Sequence, residues 1–151
     1  MSADHSVVHS TFTIERAYAV PPARVFAAWA DPTAKARWFA GPDGEHELDF
    51  RVGGREINRG RNDAGGVLTF ESVYRDIVPE RRIVYASTLF TGDTVATVSI
   101  TTVELHPDDA RTRLELVEQD TFLDGLEEPA DRHTGTGQWL DALGSQLAAR
   151  A

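Results

Sequence analysis

The sequence predicts an α+β fold: a curled antiparallel sheet of seven strands around one long C-terminal helix, with two short helices after the first strand. Two observations carry this expectation. Between Glu45 and Gln119, β-rich runs alternate with short turn signals, the grammar of an antiparallel meander. Asp131–Ala149 is the only stretch long and periodic enough for a full amphipathic helix. In it Trp139, Leu140, Leu143 and Leu147 recur at i, i+1, i+4 and i+8, one stripe on a 3.6-residue helix.

Residues 1–10 are polar and are expected to be loose, ahead of a single domain over 11–151. Thr11–Val20 alternates with period two, placing Phe12, Ile14, Arg16 and Tyr18 on one face of a first strand. Pro21-Pro22 ends it and starts a helix carrying Val25, Phe26 and Trp29. Asp31-Pro32 starts a second short helix, Thr33–Phe39, which Gly41-Pro42 closes. Six runs follow: Glu45–Val52, Arg55–Arg61, Val67–Val78, Arg82–Phe90, Thr94–His106 and Thr112–Gln119. Gly53-Gly54, Asn62–Gly66, Pro79–Arg81, Thr91–Asp93 and Pro107–Asp109 separate them. Asp124-Gly125 marks a turn in the linker to the last helix. Gly135, Gly137 and Gly144 each cost about 1 kcal/mol relative to alanine, so that helix is expected either to start late, near Thr136, or to be able to shift.

A twisted sheet of this size curls, and a helix laid in its palm leaves a concavity. An apolar hollow with a few polar groups is the usual form of a small-molecule site. Complete filling by side chains is the competing outcome.

The chain has 151 residues, with 15 Lys and Arg against 24 Asp and Glu, a net charge of −9. Nucleic acid and anionic membranes demand a basic face and are not expected as partners. Arg51, Arg55, Arg59 and Arg61 cluster in sequence and read as a solvated hairpin face. There is no cysteine, hence no disulfide, thiolate metal site or cysteine nucleophile. The first ten residues lack the features of a secretory signal, and no apolar run approaches the ~20 residues that span a bilayer, so a cytoplasmic location is expected. No cofactor is expected, and a homodimer is left open.

The residues Pro22, Val25, Phe26, Ala28 and Trp29, then Asp31-Pro32 and Arg37-Trp38-Phe39, carry a family resemblance. It continues through Asp49-Phe50-Arg51-Val52-Gly53-Gly54-Arg55, Pro79–Val84, Thr112-Arg113-Leu114, and Glu118-Gln119 through Phe122–Gly125 to Arg132. The chain resembles the small bacterial form of the family named after the activator of the heat-shock-protein-ninety ATPase. That family lies within the helix-grip superfamily of birch-pollen allergens, steroidogenic lipid-transfer proteins and polyketide cyclases. The resemblance implies carriers of hydrophobic molecules, cyclases, a few hydrolases, or a chaperone-associated or stress-related interaction module. The eukaryotic activator also has a separate chaperone-docking domain, for which this chain has no room. Many members open the last helix with Gly-Trp, where this chain has Gly137-Gln138-Trp139.

Three readings follow. The first is a non-catalytic binding protein for a small hydrophobic or aromatic molecule, held between sheet and helix. Candidate contacts are Trp38, Phe39, Phe70, Tyr74, Tyr85, Phe122, Trp139 and Leu143, with Glu118 and His133 as polar groups. Most aromatic residues must be core in any domain of this size. The second is a cyclase- or hydrolase-type enzyme using Glu118, which shares parity with Leu114 and Leu116 and should face inward. Burial would raise its pKa toward that of a general base, or it simply pairs with Arg132. The third is an interaction module, which requires a large exposed apolar patch. Asp49 and Arg51 read as a structural pair beside the glycine turn, and His5, His9, His46, His106 and His133 show no metal-ligand spacing. No P-loop or nucleophile elbow is present.

Overall fold

The computed structural model describes residues 5–41, 44–62 and 64–149. Strand β1 (Val7–Tyr18) leads into helices α1 (Pro22–Ala30) and α2 (Pro32–Phe39). Strands β2 (Glu45–Leu48), β3 (Arg55–Arg61), β4 (Val67–Val78), β5 (Arg82–Thr91), β6 (Thr94–Asp108) and β7 (Arg111–Leu123) precede helix α3 (Pro129–Ala149). All seven strands form one antiparallel sheet in the order β1-β7-β6-β5-β4-β3-β2. The first strand thus returns beside the last, while the others meander outward. Register shifts at Tyr74/Asp76 and at Leu89/Phe90 bend the middle strands, as bulges do. The expected α+β fold is the one observed.

Element ends differ from the sequence expectations for local reasons. Strand β1 begins at Val7 rather than Thr11, because Val7–Ser10 pair with Leu123–Asp120 at the long end of β7. Strand β2 stops at Leu48. Beyond it the chain turns, with Asp49 N–H donating to Arg55 O at 2.9 Å and Gly53 N–H to Tyr74 O at 2.7 Å. Gly53 takes φ +86°, whereas Gly54 is required by contact: a Cβ there would lie 2.0 Å from Asp49 O. Asp49 and Arg51 pair at 2.9 Å on the exposed surface of this turn.

Helix α3 starts at Pro129, earlier than expected. Glu128 O accepts from Asp131 N–H and Arg132 N–H at 3.1 and 3.2 Å, and proline suits a first turn. Its glycines have spatial rather than terminating roles. A Cβ at Gly144 would lie 3.2 Å from the Tyr18 ring, and one at Gly137 3.3 Å from Arg16 Nη2. They let α3 lie close against β1, where Tyr18 O–H donates to Leu140 O at 2.8 Å. Asp31 Oδ2 accepts from Ala34 N–H at 2.8 Å and caps α2.

The apolar core fills one end of the palm. Val25 and Trp29 of α1 pack with Ile83, Val103, Leu105, Leu114 and Leu116 of the sheet and Leu140, Leu143 and Leu147 of α3. Across the middle of the sheet runs a buried polar row. Glu56, Ser72, Ser87, Ser99 and Asp120 stand opposite one another on five successive strands. Ser72 and Ser87 share a hydrogen bond of 2.7 Å between their hydroxyls.

Candidate functional site

Each end of that polar row carries a buried carboxylate cluster, and the two differ in how completely they are satisfied. At one end Lys35 of α2, 1% exposed, donates to both Glu56 oxygens at 3.0 Å. His46 Nε2 approaches Glu56 at 2.7 Å and Tyr74 O–H donates to it at 2.6 Å. The Lys35 ammonium also lies over the Trp29, Trp38 and Phe39 rings at 4.8, 5.3 and 4.4 Å. Burial alone would raise Glu56, but the Lys35 charge and the hydrogen bonds from His46, Tyr74 and Lys35 outweigh it and lower it to about 2. Burial pulls Lys35 down, opposed by Glu56, and pushes Tyr74 up. This closed set clamps α2 to β3 and β4.

At the other end Glu118 and Asp120, two apart on β7, both face inward and are buried. Thr101 O–H donates to Glu118 Oε1 at 3.1 Å. Arg132 of α3 brings its Nε to 3.6 Å from Glu118 Oε2 and 3.3 Å from Glu127 Oε1, and Thr97 O–H also donates to Glu127. Burial is the main cause that raises Glu118 to about 8. A hydrogen bond and repulsion from neighbouring Asp120 push the same way, against the attraction of Arg132. Burial also raises the Tyr85 hydroxyl, helped by the charge of Glu118.

Beside this second cluster opens a cavity of about 650 Å³ between the β3–β5 side of the sheet, the end of α2 and the first half of α3. Its apolar wall is Phe39, Leu68, Phe70, Leu89 and Trp139. The three rings converge: Phe39 and Trp139 are 4.4 Å apart between centroids, Phe70 and Trp139 6.0 Å, and Phe39 and Phe70 6.1 Å. Strand β3 adds Asn58, Arg59 and Arg61. Asn58 Nδ2–H donates to Phe39 O at 3.0 Å, Arg59 pairs with Glu45 at 2.9 Å, and Arg61 donates to Gly65 O at 3.0 Å. Helix α3 adds Asp131, Arg132, Gly135, Thr136 and Trp139. The Arg132 guanidinium lies 5.3 Å from the Phe70 ring centre, so it stands between the cavity and Glu118. A Cβ at Gly135 would meet nothing within 4 Å.

Of the residues singled out from sequence, Phe39, Phe70 and Trp139 come together on the cavity wall. Glu118 sits behind it, with Arg132 as the link, and Tyr85 lies beside Glu118. Trp38, Tyr74 and Leu143 belong to the core, Trp38 donating its indole N–H to Ala28 O at 3.0 Å. Phe122 is buried opposite Thr97, away from the lining. His133 is exposed and stacks on Phe12 at 4.7 Å. The sequence reading did not select Asn58, Leu68, Leu89, Glu127 or Thr136, and took Arg59 and Arg61 as hairpin surface. One signal was available for the helix side: Arg132, Thr136 and Leu140 repeat every four residues on one face.

Glu104, His106 and Glu115 place potential ligand atoms within 4.8 Å of one another on the outer face of β6 and β7. Spacing along the chain concealed this group, because it is assembled from two strands. Arg82 stands opposite Glu104 and already neutralises part of it.

The family model described as "Activator of Hsp90 ATPase homolog 1-like protein" matches residues 19–148. The chain belongs to this family. Among solved structures, the Mll3558 protein from Rhizobium loti is 43% identical, with 94% of this chain and 99% of that one covered and a TM-score of 0.88. A protein from Rhizobium leguminosarum is 38% identical, with 95% and 97% covered and a TM-score of 0.91. CalU16 from Micromonospora echinospora, at 19% identity, 94% and 86% coverage and a TM-score of 0.68, shares the fold. No curated protein matches the chain. Among the described residues, no helix is long and apolar enough to cross a membrane.

Proposed function

We propose that this family member binds one small molecule with an apolar, flat body in the cavity between sheet and α3, without transforming it. The observation that supports this most is the wall itself. A hollow of about 650 Å³ has a wall of three converging aromatic rings and two leucines, with polar side chains from β3 and α3 around it. Ligand cavities commonly have this size and balance. The helix-grip fold commonly accommodates hydrophobic ligands in the same place, which is consistent with this reading.

A catalytic reading draws on one observation, the Glu118 carboxyl held near pKa 8, as a general acid or base requires. It ranks second, because Glu118 does not line the cavity and Arg132 lies in front of it. An interaction module has weaker support still: on the outer face of β6 it draws only on the exposed Val98 and Ile100. Native mass spectrometry of the gently purified protein tests the binding reading. The expected result is a stoichiometric small-molecule adduct that Gly135→Leu removes. An adduct retained at full occupancy in that variant would count against the cavity as its seat.

A further inference from the structure

We propose that the inner end of the cavity, where Arg132 and Glu127 line it in front of Glu118, receives a neutral ligand head that both accepts and donates hydrogen bonds. A hydroxyl is the simplest such head, and carboxylate and ammonium heads are rejected. This rests on the binding role proposed above and specifies its ligand.

The first observation is a concentration of unmet hydrogen-bonding capacity. Ser99 Oγ, Glu118 Oε2, both Asp120 oxygens and Arg132 Nη2 are buried without a hydrogen-bond partner among the described residues, and a proton on Glu118 meets the need of only one Asp120 oxygen. Buried polar atoms are rarely left so, and here several belong to one neighbourhood. Ser99 stands opposite Asp120, Asp120 is two residues from Glu118, and Glu118 faces Arg132. The fully satisfied Glu56 cluster at the far end of the same row shows that the fold can close such a set.

The second observation is the looseness of Arg132. The exposed pairs Arg16–Asp141, Arg55–Glu71, Arg59–Glu45, Arg82–Asp76 and Arg113–Glu15 span 2.7–3.1 Å. Arg132, with only 5% of its side chain exposed, reaches Glu127 and Glu118 at 3.3 and 3.6 Å. Charge-assisted contacts to guanidinium are normally short. Arg132 is therefore under-used as a donor while it lines the cavity.

Charge then selects the head. Glu118 is faced by Asp120 on its own strand, Thr101 on β6, Tyr85 on β5, Phe12 on β1, and Arg132 with Glu127 from the α3 side. Even with Glu118 protonated, the carboxyls Asp120 and Glu127 outnumber the single Arg132 guanidinium. A carboxylate head adds another. An ammonium head cannot accept a hydrogen bond from Arg132 and stands as a second cation beside it. A hydroxyl adds no charge, accepts from Arg132 and donates to Glu127, the carboxylate beside it on the cavity lining.

The test uses three probes with one body: naphthylmethanol, naphthoate and naphthylmethylamine, titrated into the full chain at neutral pH by calorimetry. The alcohol is expected to bind at least tenfold more tightly than either charged probe. Equal or tighter binding of a charged probe overturns the inference while leaving the cavity reading intact. Failure of all three to bind overturns both. Asp120→Asn removes negative charge behind Arg132 and is expected to raise naphthoate affinity relative to the alcohol at least fivefold. An unchanged ratio overturns the charge argument. Glu127→Gln, at the cavity edge, is expected to shift the ratio the same way if Asp120→Asn does not fold.

Discussion

Raising the pH through neutrality should destabilise this protein, and Glu118 should be the cause. Its folded-state pKa is raised to about 8, chiefly by burial, while an unfolded glutamate titrates near ~4.3. Between those values the folded chain keeps a proton that the unfolded chain has released. Stability from a raised group is complete below the unfolded pKa and is lost as pH rises through the folded one. One proton gives a slope of about 1.4 kcal/mol per pH unit, so two units from pH ~5.5 to ~7.5 remove roughly 2–3 kcal/mol. Glu56 acts in the opposite sense and in another window: lowered to about 2, its contribution is present at neutrality and lost in acid. Urea unfolding followed by far-UV circular dichroism at several pH values measures the slope in the native chain and in Glu118→Gln. The native midpoint should fall with pH more steeply than that of the variant, with m unchanged. Parallel slopes in the two proteins would refute the buried proton on Glu118.

Other outcomes follow from single contacts. Lys35→Met should destabilise by about 3–5 kcal/mol, because it leaves the buried Glu56 carboxylate without its cation. Adding Glu56→Leu should restore much of that loss, as read by urea midpoints. Gly135→Leu should abolish probe binding yet leave thermal stability equal or higher, since a Cβ there meets nothing and leucine favours helix by about 1 kcal/mol. Gly54→Ala should destabilise the domain sharply, measured by thermal melting, because its Cβ would overlap Asp49 O.

The sheet and its helices were legible because their signals are local. Strict alternation in Thr11–Tyr18, the Asp31-Pro32 cap and the turn residues between strands each act within a few positions. Misplaced ends came from partners distant in sequence: Val7–Ser10 become strand only because β7 continues to Leu123. The glycines of α3 read as helix-weakening locally, whereas Gly137 and Gly144 serve the approach of β1. The aromatic wall was partly legible, since Phe39, Phe70 and Trp139 are large and inward by period. Its polar residues were not. Arg132 on a helix and Arg59 on a strand look like solvated surface until the fold places both at one cavity. The Lys35–Glu56 pair was equally hidden, because a charged residue in a short helix gives no sign that a sheet will bury it.

Occupancy of the cavity can be read most directly from backbone amide chemical shifts of the labelled protein titrated with naphthylmethanol. The account predicts saturable shifts at Asn58, Phe70, Gly135, Thr136 and Trp139, around the cavity wall. Shifts concentrated instead at Val98 and Ile100 on the outer face, or no shifts at all, would contradict it.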